Sequence, residues 1–341
     1  MTLKGKQNHY NVKFLKGYGF SIKVKDSKIV LTNTADPFSK PEREEWYIDN
    51  MPYEKIVLCG KGYISTEALS LLSNNSRNII LLDTFGKPVT YLNPIRESQT
   101  ATLYRMMQYD TFRDESKKDY LVKQIIFAKK KSQLQLLQKI GSSVDTLPDE
   151  EAHASMIYFS EYAKFIPKRF GFSSRNQSFS GASKSNAKDI INALLNYGYA
   201  VLAGEISKFV NGVGLDAYYG FMHKNHGNSQ SLVYDLIEPF RWMVDYAVFS
   251  LANSVSTKQK IYLKDYAHNR EGDVILDYSL TRRFLERLER VFQKERPYRL
   301  KHGRKRSDGL SMCQEITIVK ITVQDLADYC CYSKSFLEDN R

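Results

Sequence analysis

Asp235 and Glu238 stand three residues apart in the stretch SLVYDLIEPFRW, a spacing that on a helix puts both carboxylates on one face, where they can approach a common point. Two like charges held together call for a cation or a basic neighbour. His223, twelve residues before Asp235 at the edge of a polar loop, adds an imidazole. A third acid is available at Asp149-Glu150-Glu151, an acidic run that opens a helical stretch. One imidazole with two or three carboxylates suits Mg2+ or Mn2+ rather than Zn2+, because carboxylates are hard ligands and the thiols of this chain lie elsewhere. Taken singly, a loop histidine reads as a solvated or hydrogen-bonded side chain, and two acids three apart read as a wet helix face. The setting argues for a site: Leu232, Val233, Leu236 and Ile237 surround the acids, and burying carboxylates without a partner is costly.

The elements that must position these groups fall into two textures. Residues 12–31 alternate, with Phe20, Ile22 and Val24 set against Ser21, Lys23 and Lys25, and Asp26-Ser27 stands where a hairpin turns. An apolar run at 56–58 precedes Ser65 and Thr66, either of which can cap a short helix over 67–72 that Asn74-Asn75 stop. Strands are expected at 79–82 and 89–92 around the turn Gly86-Lys87-Pro88. Beyond Asn93-Pro94, Leu103, Met106, Met107, Leu121, Ile125, Leu134, Leu137 and Ile140 recur at helical spacing among Lys and Arg. Further helices are expected over 152–165, 187–210, 231–254 and 280–292, and a strand over 316–323 before a short helix around Leu326. The fold class is therefore α+β: a small β-rich domain over 1–93 and a larger all-α domain over 94–341 that carries the candidate site.

The chain has 341 residues, 42% hydrophobic and 26% charged, which suits two folded domains and excludes long disorder. Its 50 Lys and Arg against 38 Asp and Glu give a net charge of +12, an attractive field for a polyanion. Cys59, Cys313, Cys330 and Cys331 lack metal-ligand spacing and are expected to be reduced thiols. No apolar stretch reaches the roughly 20 residues of a membrane span, and residues 1–10 lack an apolar signal-peptide core, so no membrane partner is expected and the cytoplasm is the expected compartment.

Five stretches carry a resemblance. IVLCGKGYISTEALSLLSNNSRNIILLDTFGKPV, EAHASMIYF, NALLNYGYAVLAGEI, GLDAYYGFMH and YDLIEPFRWMVD resemble, in order and approximate spacing, the CRISPR-associated integrase of spacer acquisition, the family often called CRISPR-associated protein one. The resemblance covers roughly residues 15–295. It implies an N-terminal β-rich domain that forms a homodimer, a helical catalytic domain, and a metal held by a Glu, a His and a further acid.

Carried over residue by residue, the family's glutamate falls on Glu151, seven before Tyr158, with Glu150 one position away. The family's histidine, which follows Gly-Phe and one apolar residue, falls on His223. Its last acid falls on Glu238, and Asp235 stands close to the metal or behind a ligand. His153 occupies the family's small-residue position and is expected at the surface or in packing. Glu205 matches an acid of the family's YGYAVLAGEI helix, with pairing to Lys208, packing and a direct role all open. The implied reaction is phosphoryl transfer: the 3′-hydroxyl of a short DNA duplex attacks a phosphodiester at a repeat border.

Double-stranded DNA and the small second CRISPR adaptation protein are the implied partners. Arg169, Arg175, Lys184, Lys224 and Arg241 are the candidate DNA contacts, with six Lys and Arg between Arg296 and Arg306, a run that reads equally as a solvated tail. Tyr197, Tyr218 and Tyr219 can stack on a splayed base or pack in the core. Two other readings compete: a transposase of mobile elements that shares the site, and a DNA-binding scaffold with vestigial acids.

Overall fold

Asp26 and Ser27 take φ of 50° and 60°, the left-handed pair that a two-residue hairpin turn requires, and they fold the chain back on itself. The computed structural model describes residues 12–34, 40–53, 55–75, 77–83, 88–92, 99–175, 187–223, 230–299 and 310–337. The hairpin joins β1 (Val12–Lys25) to β2 (Lys28–Asn33), and β3 (Glu42–Trp46), β4 (Lys55–Ile64), β5 (Asn78–Leu82) and β6 (Pro88–Leu92) complete a six-stranded sheet. Its order is β3-β2-β1-β4-β5-β6, with β1-β4 and β4-β5 parallel and the other pairs antiparallel.

The register of β1 against β4 shifts between Tyr18 and Phe20, where Gly19 has a φ of 93°. One inserted residue swaps the facing of everything after it. Leu15, before the shift, and Phe20 and Ile22, after it, consequently enter the same core as Ile29, Leu31, Ile56, Leu58 and Ile79. Helix α1 (Thr66–Asn74) closes that core with Ala68 and Leu72. Ser65 caps α1 by accepting from the Ala68 amide at 3.2 Å, so of the two expected caps it is the serine that acts.

The remaining elements are mainly helical: α2 (Gln99–Arg113), α3 (Glu115–Lys139), α4 (Glu151–Lys164), α5 (Ile190–Val213), α6 (Ser231–Ile237), α7 (Arg241–Ala252), α8 (Tyr278–Phe292) and α9 (Glu315–Tyr332). The protein thus has an N-terminal β-sheet region followed by a helical region. Two small ribbons interrupt the helices, β7 (Tyr266–His268) with β8 (Val274–Leu276) and β9 (Glu295–Tyr298) with β10 (Ser311–Gln314). They add short strands to a region expected to be mainly helical.

Two further expectations are corrected. Residues 316–323 are not a strand: they belong to α9, which buries Glu315, Ile318, Val319, Thr322, Val323, Leu326, Ala327 and Cys330. That spacing is helical, and burial of the stripe overrides the β-branched composition of the segment. Residues 231–254 are not one helix. A 3-10 turn, Glu238–Phe240, separates α6 from α7, and Pro239 lies within it. A proline ring inside a helix removes one backbone donor and displaces the preceding turn.

The chain divides into two compact units, one comprising Met1–Ile95, Ser183–Gly204 and Ile261–Glu286, the other Arg96–Ala182, Glu205–Lys260 and Arg287–Arg341. The boundary expected at Asn93-Pro94 falls outside the described residues. In the first unit Phe14 packs edge-on to Tyr197 and stacks on Tyr278, both at 6.0 Å between centroids. Tyr197 is 2% exposed, which removes it from the candidates for base stacking. All four cysteines are free thiols.

Candidate active site

Every candidate acid, and His223, lies in the second unit. Helix α3 supplies the frame. Its buried stripe runs Leu121, Ile125, Lys129, Gln133, Leu137 at steps of four, so a lysine and a glutamine occupy positions that the pattern assigns to apolar side chains. Lys129 is 8% exposed. Its ammonium lies 2.6 Å from Glu151 Oε1 and 2.8 Å from Glu238 Oε2, joining the two acids that the sequence places 87 residues apart. The next residue, Lys130, donates to the Pro148 carbonyl and to Asp149 Oδ1, both at 3.1 Å, and so fixes the entry to α4 at Glu151. Farther along, α4 is tied to α7: Tyr158 donates to Asp245 Oδ2 at 2.6 Å and Tyr162 to the Asp245 carbonyl at 2.8 Å.

Glu238 is 3% exposed. Arg241, three residues on, donates from Nε to Oε1 at 2.9 Å and brings Nη2 to 2.7 Å of the same oxygen. Lys129 approaches Oε2 without hydrogen-bond alignment, so that oxygen has a neighbouring charge and no aligned donor. Burial pushes the Glu238 carboxyl up, but the charges of Arg241, Lys129 and His223 outweigh it and hold the group below the usual carboxylate range. Glu238 is therefore a buried anion held between two basic side chains.

Asp235 takes a different set of partners. It is fully buried, at 0% exposure, and its Oδ2 accepts from the Phe221 and Met222 amides at 2.6 and 3.1 Å. Its Oδ1 accepts from the His223 amide at 2.8 Å and meets His223 Nδ1 at 2.7 Å. Gly220 makes this possible, because a Cβ there would stand 2.6 Å from Asp235 Oδ2 and 2.9 Å from the Ser231 carbonyl carbon. The loop is pinned behind by Gln108, whose Nε2 donates to the Asp216 and Tyr219 carbonyls at 3.0 and 2.8 Å and whose Oε1 accepts from the Asp216 amide at 2.8 Å.

The hydrogen bond to Asp235 raises His223 above the ordinary imidazole range, although burial opposes it and the Asp235 and Glu238 charges assist. When the ring is neutral and Nδ1–H donates to Asp235, the lone pair is on Nε2. Asp235 and Glu238 both act on His223, Asp235 by direct hydrogen bonds and Glu238 by its charge. One orients His223, and the other faces Glu151 across Lys129.

Among the described residues no three His, Cys, Asp or Glu donors already converge at ligating distance. The point common to Glu151 and Glu238 holds the Lys129 ammonium instead. The donor set nevertheless fits a hard divalent cation: Glu238 Oε2 is buried without an aligned donor, and two carboxylates already share one positive charge.

The candidate DNA contacts are dispersed. Arg169 is exposed and lies 4.7 Å over the Phe170 ring, and Arg175 lies 5.9 Å from the Phe159 centroid. Arg241 is engaged with Glu238, while Lys184 and Lys224 fall outside the described residues, as do 300–306 of the basic run. Arg296 pairs with Glu315 at 2.9 Å. His153 is exposed and Glu205 is buried. Tyr218 is exposed, whereas Tyr219 packs edge-on to Tyr109 and stacks on Phe112. A cleft of about 420 Å³ adjoins the Glu238 turn at Pro239 and is lined by Lys131, Lys139, Lys294, Arg296 and Trp242.

An N-terminal sheet region, a helical region and two buried acids, Asp235 and Glu238, near an oriented histidine define the class in structural terms. The family model for CRISPR associated protein Cas1 matches residues 14–150 and 139–290. CRISPR-associated protein Cas1 3 of Methanobrevibacter ruminantium is 31% identical over 299 residues, covering 77% of this chain and 83% of that one. The chain belongs to the Cas1 family. CRISPR-associated endonuclease Cas1 1 of Archaeoglobus fulgidus is 27% identical over 265 residues, 67% of this chain and 74% of that one. A solved casposase bound to integration product superposes with a TM-score of 0.84 at 25% identity, over 97% of this chain and 94% of that chain.

Proposed function

We propose that this chain is a metal-dependent DNA endonuclease and integrase of CRISPR adaptation, inserting short DNA duplexes as spacers. The observation that carries the reading is the convergence of Glu151 and Glu238 on one cation, with His223 oriented beside them by Asp235. Family membership and the names of the relatives support it.

In the reaction, the 3′-hydroxyl of the incoming strand attacks a phosphodiester at the repeat border. A new P–O bond forms to the attacking oxygen, which gives its proton to water, and the old P–O bond breaks, so that the displaced strand leaves with a 3′ oxygen that takes up a proton to become a hydroxyl. Glu151, His223 and Glu238 would hold Mg2+ or Mn2+. When bound, the cation supplies charge neutralisation at the phosphate under attack. Asp235 keeps the imidazole in one orientation and one tautomer. Arg241 fixes the Glu238 carboxylate through Oε1. With no covalent work assigned to the protein, positioning of the two strands provides much of the acceleration. Lys139 and Lys294 at the cleft, with Arg169 and Arg175, contribute phosphate contacts that give affinity without sequence.

The small second CRISPR adaptation protein is the proposed partner, and the N-terminal region is the proposed homodimer surface. A transposase of a mobile element is the second reading, favoured by the likeness to a casposase.

Cleavage of an end-labelled duplex tests the reading, with metal supplied, chelated and restored. Chelation, Glu238→Ala and His223→Ala are each expected to abolish the product while circular dichroism persists and duplex binding is weakened but not lost. Loss of binding in step with activity would assign these residues a structural role, and product from both variants would leave a DNA-binding scaffold.

A further inference from the structure

We propose that Lys129 is a resident counter-ion which a divalent cation displaces on entry, and that the freed ammonium pairs with substrate phosphate, so that metal and DNA strengthen each other's binding. The inference rests on the metal-dependent reading above.

The carboxylates that would hold a divalent cation are already paired with basic side chains. Glu238 Oε1 is held twice by Arg241, so Oε2 is the oxygen left for another positive charge, and Lys129 stands beside it. The same ammonium takes Glu151 Oε1. Glu151 and Glu238 would hold a divalent ion through carboxylates that the ammonium now neutralises, and the ion and the ammonium repel one another there. Lys129 is thus the group that yields, since its departure releases both acids together.

An ammonium displaced inside a largely buried stripe needs a new anion, because a charge left there alone is strongly unfavourable. The neighbouring acid at the start of α4, Asp149, is already paired with Lys130. DNA brings phosphates to this position. A lysine on a flexible four-carbon stem can exchange one oxyanion for another without moving the helix that carries it. The coupling is reciprocal by linkage: if DNA gives the displaced ammonium a partner, DNA tightens the metal, and the metal tightens DNA by the same factor.

The test is titration calorimetry with Mn2+ and with a short duplex carrying blocked 3′ ends, comparing the wild type with Lys129→Met, Lys129→Arg and Glu238→Ala. Without DNA, Lys129→Met is expected to bind Mn2+ about tenfold more tightly or better, and to gain more in melting temperature from Mn2+ than the wild type does. Lys129→Arg, which keeps the charge, is expected to bind it no more tightly than the wild type. Mn2+ is expected to tighten duplex binding by the wild type and to lose that effect in Lys129→Met. If Lys129→Met needs metal to fold, recovery of its circular dichroism on adding Mn2+ is the expected sign, and failure to recover overturns the proposal. Mn2+ binding that depends on Glu238 but is equal or weaker in Lys129→Met overturns it while leaving the metal-dependent reading intact. Absence of any Glu238-dependent Mn2+ binding removes that reading and this one with it.

Discussion

Asp235 meets His223 twice through one oxygen, at 2.7 Å to the ring Nδ1 and 2.8 Å to the backbone amide. With the Phe221 and Met222 amides on the other oxygen, the carboxylate accepts from three consecutive backbone donors. Such a group sets where His223 stands and which of its nitrogens faces outward.

Asp235→Asn is therefore expected to do two separable things. An amide has one acceptor oxygen, so its NH2 must face backbone donors, which costs about 1–3 kcal/mol of stability. With the NH2 at the Oδ1 position, where it meets one backbone donor rather than two, the imidazole also loses its acceptor, and DNA cleavage should fall by about 10–100-fold under conditions where the variant stays folded. Chemical denaturation and single-turnover cleavage read the two effects independently. Cleavage at the wild-type rate would show that His223 needs no help from Asp235.

Gly220→Ala tests the same contact from the backbone side. The added methyl would lie 2.6 Å from Asp235 Oδ2, closer than neighbouring atoms tolerate, so the loop or α6 must shift. The expected result is a loss of about 1–3 kcal/mol in a denaturation midpoint experiment, together with lower activity. A variant as stable and active as the wild type would mean that this loop is free to move away.

Much of this arrangement was legible before the structure, and the reasons differ by residue. The hairpin at Asp26-Ser27 and the cap at Ser65 are local, set by residues that touch each other in sequence. His223 and Glu238 stood out because polar groups broke apolar runs. Glu151 depended on resemblance, since nothing nearby distinguishes it from Glu150. Lys129 was hidden in the run Lys129-Lys130-Lys131, which reads as a solvated face. Yet the signal existed: Lys129 and Gln133 fall in register with Leu121, Ile125 and Leu137, and charge in an apolar stripe asks for a buried partner. Gln108 gave no such signal, because its partners are carbonyls and an amide 108 or more residues away. The segment 316–323 misled because β-branched residues favour strands locally, whereas burial of one face decided for helix α9. Pro239 was a visible break in 231–254, and it falls where Glu238 has to turn.

The sheet region offers a pH-dependent prediction. Glu44 on β3 is joined to Lys13 on β1 and accepts from Tyr53 at 2.8 Å and Trp46 at 3.2 Å. Burial raises its pKa, but these three donors and the Lys13 charge outweigh it and hold the carboxyl below its ordinary 4.5. A carboxyl depressed in the folded state adds stability above its unfolded pKa and loses it as pH falls through the folded one. Glu44→Gln should accordingly be less stable than the wild type at neutral pH, with the difference shrinking as pH drops below about 4.5. Melting temperatures across that range measure it, and a constant difference would contradict the assignment.

The most direct test of the central claim is strand transfer of a labelled short duplex with free 3′ ends into a supercoiled plasmid carrying a repeat array. It is run with Mn2+ and with Mg2+, with and without the small partner protein, and with Glu238→Ala as the control. The account predicts a joined product that needs metal, Glu238 and the repeat. Joining without repeat preference would favour the transposase reading, and no metal-dependent product under any condition would contradict the account.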